Sequence, residues 1–387
     1  MSDKDIIVKR VETRKDLKKF IRFNYELYKG NPYAVPDFLE DTLDTFNPRK
    51  NAAYEFCSSQ LFLAWKDGKI VGRVAAIINN RANETWNVKN VRFGWIDFID
   101  DIEVSRALLD AVAQWGKERG MEHLVGPLGF TDMDPEGMLI EGFDQLSTMS
   151  TLYNYPYYPR HMEQLGLEKE VGWVERKVTV PYGSQHAAQD EKFFRIAEIV
   201  KKRFNLKVKK FRNYKEIKEG NYVEKIFGVI NKAYAPLYGF SQLSQRQIET
   251  YAENYLRFID MRLLTIVENE QGDVVAMGVG MASLSRALQK AKGKLFPFGW
   301  WHLLRALKCK SCRSEYLDLL LVGVVPEYQG KGVNALLFAD LIPIGSEMGF
   351  KWGETHLQLE DNNKSQDQWA YLECEVHKKR NCYTKKI

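Results

Sequence analysis

Apolar and polar residues alternate in several short segments of the first half of the chain, a pattern typical of β-strands. These segments cover residues 6–8, 61–65, 70–78, 93–98, 122–126 and 173–180. Asp67-Gly68 lies between two of them and predicts a hairpin turn. Helical spacing follows Thr13, a predicted N-cap, and a second helix extends over about 103–119 and ends at Gly120.

The second half of the chain repeats this order of elements. Strand and helix patterns occur at 207–211 (strand), 222–234 and 245–258 (helices), 262–267 and 274–281 (hairpin), 316–325 (strand, followed by a helix to about 348), 355–359 (strand) and 366–372 (helix). The repetition indicates an internal duplication at the level of fold. The polar stretch 181–190 interrupts both periodicities, which predicts two domains, residues 1–182 and residues 190–387.

Composition narrows the class of protein. A chain of 387 residues is too long for one compact core, and 45% hydrophobic with 28% charged residues is a globular balance. The 56 basic residues exceed the 51 acidic ones only slightly and are spread along the chain, which suits a small anionic ligand and does not predict nucleic-acid binding. The sequence shows no apolar run of ~18–20 residues and no secretory signal, so we expect a cytoplasmic protein.

The segment from Val324 to Asn334 carries the strongest chemical signal. An apolar strand enters a turn containing Gly330 and Gly332 and leaves as a helix. Glycine permits the backbone torsions that let consecutive N–H groups converge on an anion, and the first-turn amides and dipole of a helix favour negative charge. This pattern predicts a pyrophosphate-binding turn. A Walker A loop is excluded, because no Ser or Thr follows a Gly-Lys pair here.

At this turn the sequence resembles the GNAT superfamily of acetyltransferases. Gln329 and Gly332, after Val-Pro-Glu-Tyr, match the family motif, whereas Asn334 replaces its usual small residue. The resemblance implies an α+β fold of two tandem GNAT-like domains, each a mixed, mostly antiparallel sheet flanked by helices. The first domain has no glycine motif, and we expect it not to bind coenzyme A.

The resemblance also implies a function: transfer of an acyl group from acetyl-CoA or another acyl-CoA to a small-molecule amine, which attacks the thioester directly. The thioester would lie between two splayed strands, at 316–325 and 355–359. The cofactor-binding residues would be Val324, Val325, Gln329, Gly330, Lys331, Gly332, Val333, Asn334 and Asn362. Two alternatives remain, a non-catalytic CoA-binding or sensory module and a purely structural interaction protein.

Three residues are candidates for proton transfer. Asp318, in an otherwise apolar strand and expected to share a face with Val322 and Val324, is the first candidate for the base, and Glu315 is the second. Tyr371 occupies roughly the position of the family's tyrosine and would protonate the thiolate. A strand-end carboxylate and a core tyrosine are the structural alternatives.

Three further features have structural alternatives. Cys309, Cys312, Cys374 and His377 have zinc-like spacing, but isolated pairs arise by chance and we predict no metal. The basic residues after His377 are interpreted as a solvated end, facing CoA phosphates in one alternative. The aromatic insertion at 295–307 would cover a substrate pocket or form a subunit contact, such as a homodimer, with membrane contact ranked third. The loops at 126–137 and 153–158 would line a substrate pocket or pack between the domains.

Overall fold

The computed structural model describes residues 6–180, 187–307, 314–362, 366, 368–369 and 372–387, with residues 187–193 by their backbone alone. The first half comprises β1 (Ile7–Arg10), α1 (Arg14–Leu27), α2 (Leu39–Thr45), β2 (Cys57–Lys66), β3 (Lys69–Asn79), α3 (Asn80–Trp86), β4 (Asn90–Phe98), α4 (Ile102–Lys117), β5 (His123–Gly126), β6 (Met138–Glu141), α5 (Tyr157–Gln164) and β7 (Glu168–Thr179).

The second half comprises α6 (Ala187–Arg203), β8 (Lys207–Lys209), α7 (Tyr214–Glu219), α8 (Tyr222–Ala233), α9 (Gln245–Asn254), β9 (Leu264–Glu268), β10 (Val274–Ala282), α10 (Ser285–Ala291), α11 (Gly299–Leu307), β11 (Tyr316–Val324), α12 (Asn334–Glu347), β12 (Trp352–Thr355), β13 (Gln358–Leu359) and β14 (Cys374–Lys386). The predicted helix over 366–372 lies partly outside the described residues.

Local sequence signals set several of these boundaries. The Thr13 side chain accepts a hydrogen bond from the Asp16 amide and so caps α1. Asp67 and Gly68 both have positive φ, at 52° and 73°, which is the geometry of a tight hairpin turn between β2 and β3. The elements that local signals define therefore form where the sequence predicts them.

The two halves have the same strand topology. In the first, β1 to β4 pair antiparallel in sequence order, and β4 then pairs parallel with β5 across the connection through α4. In the second, β8 to β11 pair antiparallel in sequence order, and β11 pairs parallel with β12 across α12. The predicted fold class, α+β with a mixed, mostly antiparallel sheet in two tandem GNAT-like copies, is confirmed.

The last long strand of each half pairs with the other half. Strand β14 lies between β5 and β7, and β7 in turn pairs with β12 and β13. The described strands consequently form one continuous sheet in the order β1-β2-β3-β4-β5-β14-β7-β12-β11-β10-β9-β8, with β6 beside β14. The division into residues 1–182 and 190–387 stays a prediction, and the sheet crosses it at these two strands.

A buried network of ion pairs joins the exchanged strands. Glu175 of β7 accepts a hydrogen bond from Arg380 Nε of β14 at 2.6 Å. Lys378 Nζ, also of β14, lies 3.5 Å from Oε2 of Glu175 and pairs in addition with Glu354 of β12. Arg380, Lys378 and Glu175 are at most 1% exposed. For Lys378 and Arg380 the prediction of a solvated basic end is therefore wrong, because strand pairing places their side chains inside the protein next to carboxylates, whereas Lys379 stays partly exposed and pairs with Glu141. Arg380 and Lys378 lower the pKa of Glu175 to about 2 against the opposing effect of its burial.

Candidate active site

The turn between β11 and α12 has the backbone that its two glycines predict. Gly330 and Gly332 have φ values of 71° and 77°, in the left-handed region that disfavours other residues. The Gln329 side chain donates to the Val324 carbonyl oxygen at 3.0 Å and closes the turn over the end of β11. The two positive φ values and this hydrogen bond together fix the backbone of the turn that precedes Asn334, the first residue of α12.

The amides of this turn are free to bind a ligand. Among the described residues, the amides of Gly330, Gly332, Val333 and Asn334 have no hydrogen-bond acceptor, and no side chain caps α12. The equivalent helix of the first half is closed, because the Asp101 side chain accepts from the Glu103 amide at 3.0 Å. An anion thus has a site at the N-terminus of α12, whereas α4 presents a carboxylate at the same position.

Next to this turn, β11 and β12 separate. The amide of His356 donates to the Leu319 carbonyl oxygen at 3.1 Å, and this is the last hydrogen bond between the two segments along the chain. The chain after His356 continues as β13, which pairs with β7 instead of β11. In the pairing of β11 with β10, Leu319 and Leu321 lie opposite the consecutive residues Gly280 and Val279. Leu320 is therefore the extra residue of a β-bulge, which lies where β11 and β12 separate. A ligand can therefore enter between the two strands.

A cavity of about 1570 Å³ extends from the turn through the gap between the strands and into the first half of the chain. Most ligand sites measure about 300–1000 Å³, so this one has room for more than one molecule. Its apolar wall combines strand, helix and insertion residues: Leu321, Val322, Tyr234, Leu237, Tyr255, Phe258, Trp300, Leu303 and Leu307. The cavity joins the free amides to a large apolar volume.

His356 lines the cavity where the strands separate. Burial lowers the pKa of its imidazole below the usual 6.5, with Glu175 acting in the opposite direction and Arg380 in the same one. Its ring makes no hydrogen bond to a side chain or carbonyl group in the part of the chain that the structure describes. A neutral imidazole facing the cavity has one nitrogen that can accept a proton.

Another part of the cavity wall is acidic, and most of its acids come from the loop between β5 and β6. Asp132, Asp134 and Glu136 line the cavity, together with Asp41 from α2. Burial raises the pKa of Asp132 to about 7 and that of Asp134 to about 6, although Arg92 opposes the shift in both. Burial and the neighbouring Asp132 raise the pKa of Glu136 well above its usual value. A cation would be held at this wall.

The predicted cofactor-binding residues occupy different positions around the turn. Seven line the cavity: Val324, Gln329, Gly330, Gly332, Val333, Asn334 and Asn362. Val325 does not, and its amide donates to Val275. Lys331 is exposed, with its Nζ over the Phe204 and Tyr328 rings. Binding of a ligand by these residues stays a prediction.

The two predicted base residues, Glu315 and Asp318, do not line the cavity. Glu315 is exposed and pairs with Lys351. Asp318 is 2% exposed, and its carboxyl oxygens have no hydrogen-bond partner among the described residues, although Ser283 is near enough to lower its pKa slightly. Burial, with the neighbouring Glu354, raises the pKa of Asp318 well above its usual value. Tyr371 lies outside the described residues.

The prediction that Asp318 shares a face of the sheet with Val322 and Val324 is wrong. The extra residue at the Leu320 bulge shifts the alternation of side chains by one position, so that the residues after it change faces. Asp318 and Leu321 face Met281 and Val279 of β10, so that these two β11 residues share one side of the sheet. Val322 and Val324 point to the other side. His356 was not among the predicted site residues. The loop 126–137 was predicted to line a substrate pocket or to pack between the domains, but its acids were not predicted to form a charged wall. The run of three acids within five residues was the available signal for the wall.

Two curated proteins resemble most of the chain. Protein YghO of Escherichia coli (strain K12) is 28% identical over 340 residues, which cover 87% of this chain and 83% of the relative. Bacterial ceramide synthase of Caulobacter vibrioides (strain NA1000 / CB15N) is 28% identical over 362 residues, 92% of this chain and 90% of the relative. No family model matches the chain.

Solved structures share the fold at low sequence identity. A tandem GNAT protein from the clavulanic acid biosynthesis pathway aligns with a TM-score of 0.55 and 11% identity over 99% of this chain and 98% of its own. A GCN5-related N-acetyltransferase from Sphaerobacter thermophilus aligns with a TM-score of 0.52 and 11% identity, covering 100% and 96%. The chain has the tandem GNAT fold.

The described residues contain neither a bilayer-spanning helix nor a metal-binding cluster. Within them, no helix has the length and apolar character needed to cross a bilayer. They also contain no cluster of three or more His, Cys, Asp or Glu side chains that could hold a metal ion. Cys309 and Cys312 of the zinc-like spacing lie outside the described residues.

Proposed function

We propose that the chain is an acyltransferase that moves an acyl group from acyl-CoA to an amine. The observation that carries the proposal is one continuous cavity lined by three features: the turn with free backbone amides, the residues where β11 and β12 separate, and the acidic loop between β5 and β6. Each part suits one component of this reaction. The tandem GNAT fold, shared with N-acetyltransferases, supports the same class of chemistry.

The turn before α12 suits the pyrophosphate of CoA. Backbone N–H groups at a helix N-terminus bind phosphate through hydrogen bonds and the helix dipole. The amides of Gly332, Val333 and Asn334 are uncapped and line the cavity, so that a pyrophosphate there directs its pantetheine arm between the separating strands. The backbone at the Leu320 bulge lies outside the regular ladder and could donate to the thioester oxygen as negative charge develops there.

The acidic wall suits an amine acceptor, which arrives as an ammonium ion. Above pH values of about 7 and 6, which are the raised pKa values of Asp132 and Asp134, these two groups are carboxylates and attract a cation in a cavity where water screens charge poorly. The ammonium ion must lose a proton before its nitrogen can attack, because an alkyl ammonium has a pKa of ~10.4 and is protonated near neutral pH. His356, held neutral by burial beside the gap, takes this proton in our proposal.

Two protons leave the nitrogen in this reaction. His356 takes the first from the ammonium ion, and the neutral amine nitrogen then attacks the thioester carbonyl carbon to form the C–N bond. The C–S bond breaks, the sulfur of CoA leaves with the bonding electron pair, and the second nitrogen proton passes to this thiolate, so that CoA is released as the free thiol. Because a thiol has a pKa of ~8.5, the thiolate departs with little help from an acid. Asp318 has no part in this scheme, since it does not line the cavity.

The apolar volume beyond the strands favours acyl chains longer than acetyl. Acetyl occupies a small part of a cavity of about 1570 Å³ whose walls carry Leu303, Leu307 and Phe258. A relative that is 28% identical over most of both chains is named a ceramide synthase, and a ceramide is the amide of a long acyl chain and a long-chain amine. We therefore propose long-chain acyl-CoA as donor and an amine with an apolar tail as acceptor.

Release of free thiol from acyl-CoA tests the proposal. The purified chain is incubated with acetyl-, octanoyl- and palmitoyl-CoA, each with a panel of short and long-chain amines. We expect amine-dependent thiol release that is fastest with a long acyl chain and a long-chain amine. A non-catalytic CoA-binding module would bind CoA in calorimetry without releasing thiol, and a purely structural protein would not bind CoA.

A further inference from the structure

Residues 285–307 form a surface that is both strongly basic and strongly apolar, here named the basic lip. The lip contains five basic residues and no acidic one: Arg286, Lys290, Lys292, Lys294 and Arg305. Its positive charge equals the net charge of +5 of the whole chain. All five basic residues are exposed. The remainder of the chain has 51 basic and 51 acidic residues and is therefore neutral on balance.

The same segment exposes large aromatic side chains. Phe296 is 74% exposed, Phe298 72% and Trp301 51%, and none of the three lines the cavity. Aromatic side chains of this size are ordinarily buried in a globular protein, and a contiguous group of them marks an interaction surface. Aromatic and basic residues together are the composition of surfaces that lie in the interface of an anionic bilayer.

The basic lip is held to the body of the protein on its inner side. Gln289 Nε2 donates to the carbonyl oxygens of Pro32 and Ala34, each at 2.9 Å, and the Leu39 amide donates to the Gly293 carbonyl oxygen at 2.9 Å. These bonds fix the segment while its aromatic side chains point outward. The basic lip is thus attached to the first half of the chain through the hydrogen bonds of Gln289 and Gly293.

The cavity reaches the protein surface at the basic lip. Trp300 and Leu304 line the cavity and are also 42% and 41% exposed. From the other side, Tyr255 and Phe258 near the end of α9 line the cavity and are 42% and 58% exposed. A ligand that enters between these residues meets apolar side chains from solvent to interior. Such an entrance suits a molecule that leaves a lipid phase.

We propose that the basic lip docks the protein on an anionic membrane surface, with Phe296, Phe298 and Trp301 in the headgroup region and the cavity opening toward the lipid. The role of the contact in loading long-chain substrates rests on the proposed function, whereas the contact itself does not. Each lysine or arginine near an anionic surface strengthens binding by about fivefold, and burial of each aromatic side chain strengthens it further.

Co-sedimentation with vesicles tests the docking. The full chain is mixed with vesicles of phosphatidylglycerol and phosphatidylcholine in equal parts, and with vesicles of phosphatidylcholine alone. We expect binding to the anionic vesicles that weakens as salt is added, and much weaker binding to the neutral ones. Absence of binding to the anionic vesicles overturns the proposal.

A variant with Phe296→Ser, Phe298→Ser and Trp301→Ser should bind the anionic vesicles at least about tenfold more weakly. Ile199→Ser in α6 is the matched control, because Ile199 is 56% exposed but lies outside the basic lip, and it should bind as the parent does. Equal vesicle binding by parent and triple variant overturns the proposal. So does a triple variant that changes only the molar mass in solution, since the lip would then be a contact between copies.

A second measurement separates the docking from the proposed function. Thiol release with a water-soluble short-chain amine should be the same in the parent and the triple variant, whereas release with a long-chain amine embedded in anionic vesicles should fall in the variant. Vesicle binding without any thiol release would reject the transferase and leave the docking intact. Thiol release from the embedded amine at the parental rate in the triple variant would reject the role of the lip in loading.

Discussion

Replacement of Gly332 by alanine tests the pyrophosphate-binding turn most directly. Gly332 has a φ of 77°, and an added Cβ would lie 3.2 Å from Cγ2 of Val200, close enough to require a small shift. An L-residue in the left-handed region costs roughly 1–2 kcal/mol, and the turn can relieve this strain by rotating its amides away from the ligand. Binding of CoA must then restore the strained turn, so its dissociation constant should rise about 5- to 30-fold.

Gly349→Ala provides a matched control at the other end of the same helix. Gly349 follows α12 with a φ of 83°, and nothing lies within 4 Å of an added Cβ. Gly349→Ala should therefore lose roughly 1–2 kcal/mol of the free energy of unfolding in denaturant titrations, and Gly332→Ala should lose less, because its turn relaxes in the free protein. Only Gly332→Ala should lose affinity for CoA in calorimetry. Equal CoA affinities in the two variants would refute the assignment of the turn.

Three further predictions concern the base, the acidic wall and the pairing of strands between the two halves. His356→Gln should lower kcat for thiol release by about 100-fold or more with unchanged CoA affinity, and Asp318→Asn should not; the reverse pattern would restore Asp318 as the base. Because the pKa of Asp132 is raised to about 7, Asp132→Asn should raise KM for the amine above that pH and have little effect well below it, where the parent carboxyl is already protonated; a KM difference that does not vary with pH argues against the acidic wall. The stability linked to this raised pKa is present below the unfolded value of 3.8 and is lost as pH rises through about 7, so the melting temperature of Asp132→Asn should fall less over that range than the parent's. Residues 1–182 expressed alone should fail to unfold cooperatively, since they lack β14 and leave Glu175 without Arg380, and co-expression with 190–387 should rescue them; a cooperative transition of the isolated piece would show that the exchange is dispensable.

The sequence determined the features that depend on neighbouring residues. Gly330 and Gly332, which lie between an apolar strand and a helix, favour a turn with positive φ because glycine adopts such torsions without a steric cost. Asp67-Gly68 and Thr13 similarly specify a hairpin and a helix start through their own backbone and side-chain geometry. The repeated order of these local elements predicted an internal duplication, and the resemblance at the glycine turn implied the tandem fold.

Only the tertiary structure decided which residues meet at the site. The exchange of β7 and β14 pairs residues some 200 positions apart, such as Glu175 and Arg380, and a charged strand that is buried by such pairing looks like a solvated tail in the sequence. The bulge at Leu320 reversed the face of Asp318, and His356 entered the cavity because the chain leaves β11 there to join β7. Local periodicity cannot encode these outcomes, since register, bulges and strand partners are set by contacts between distant segments.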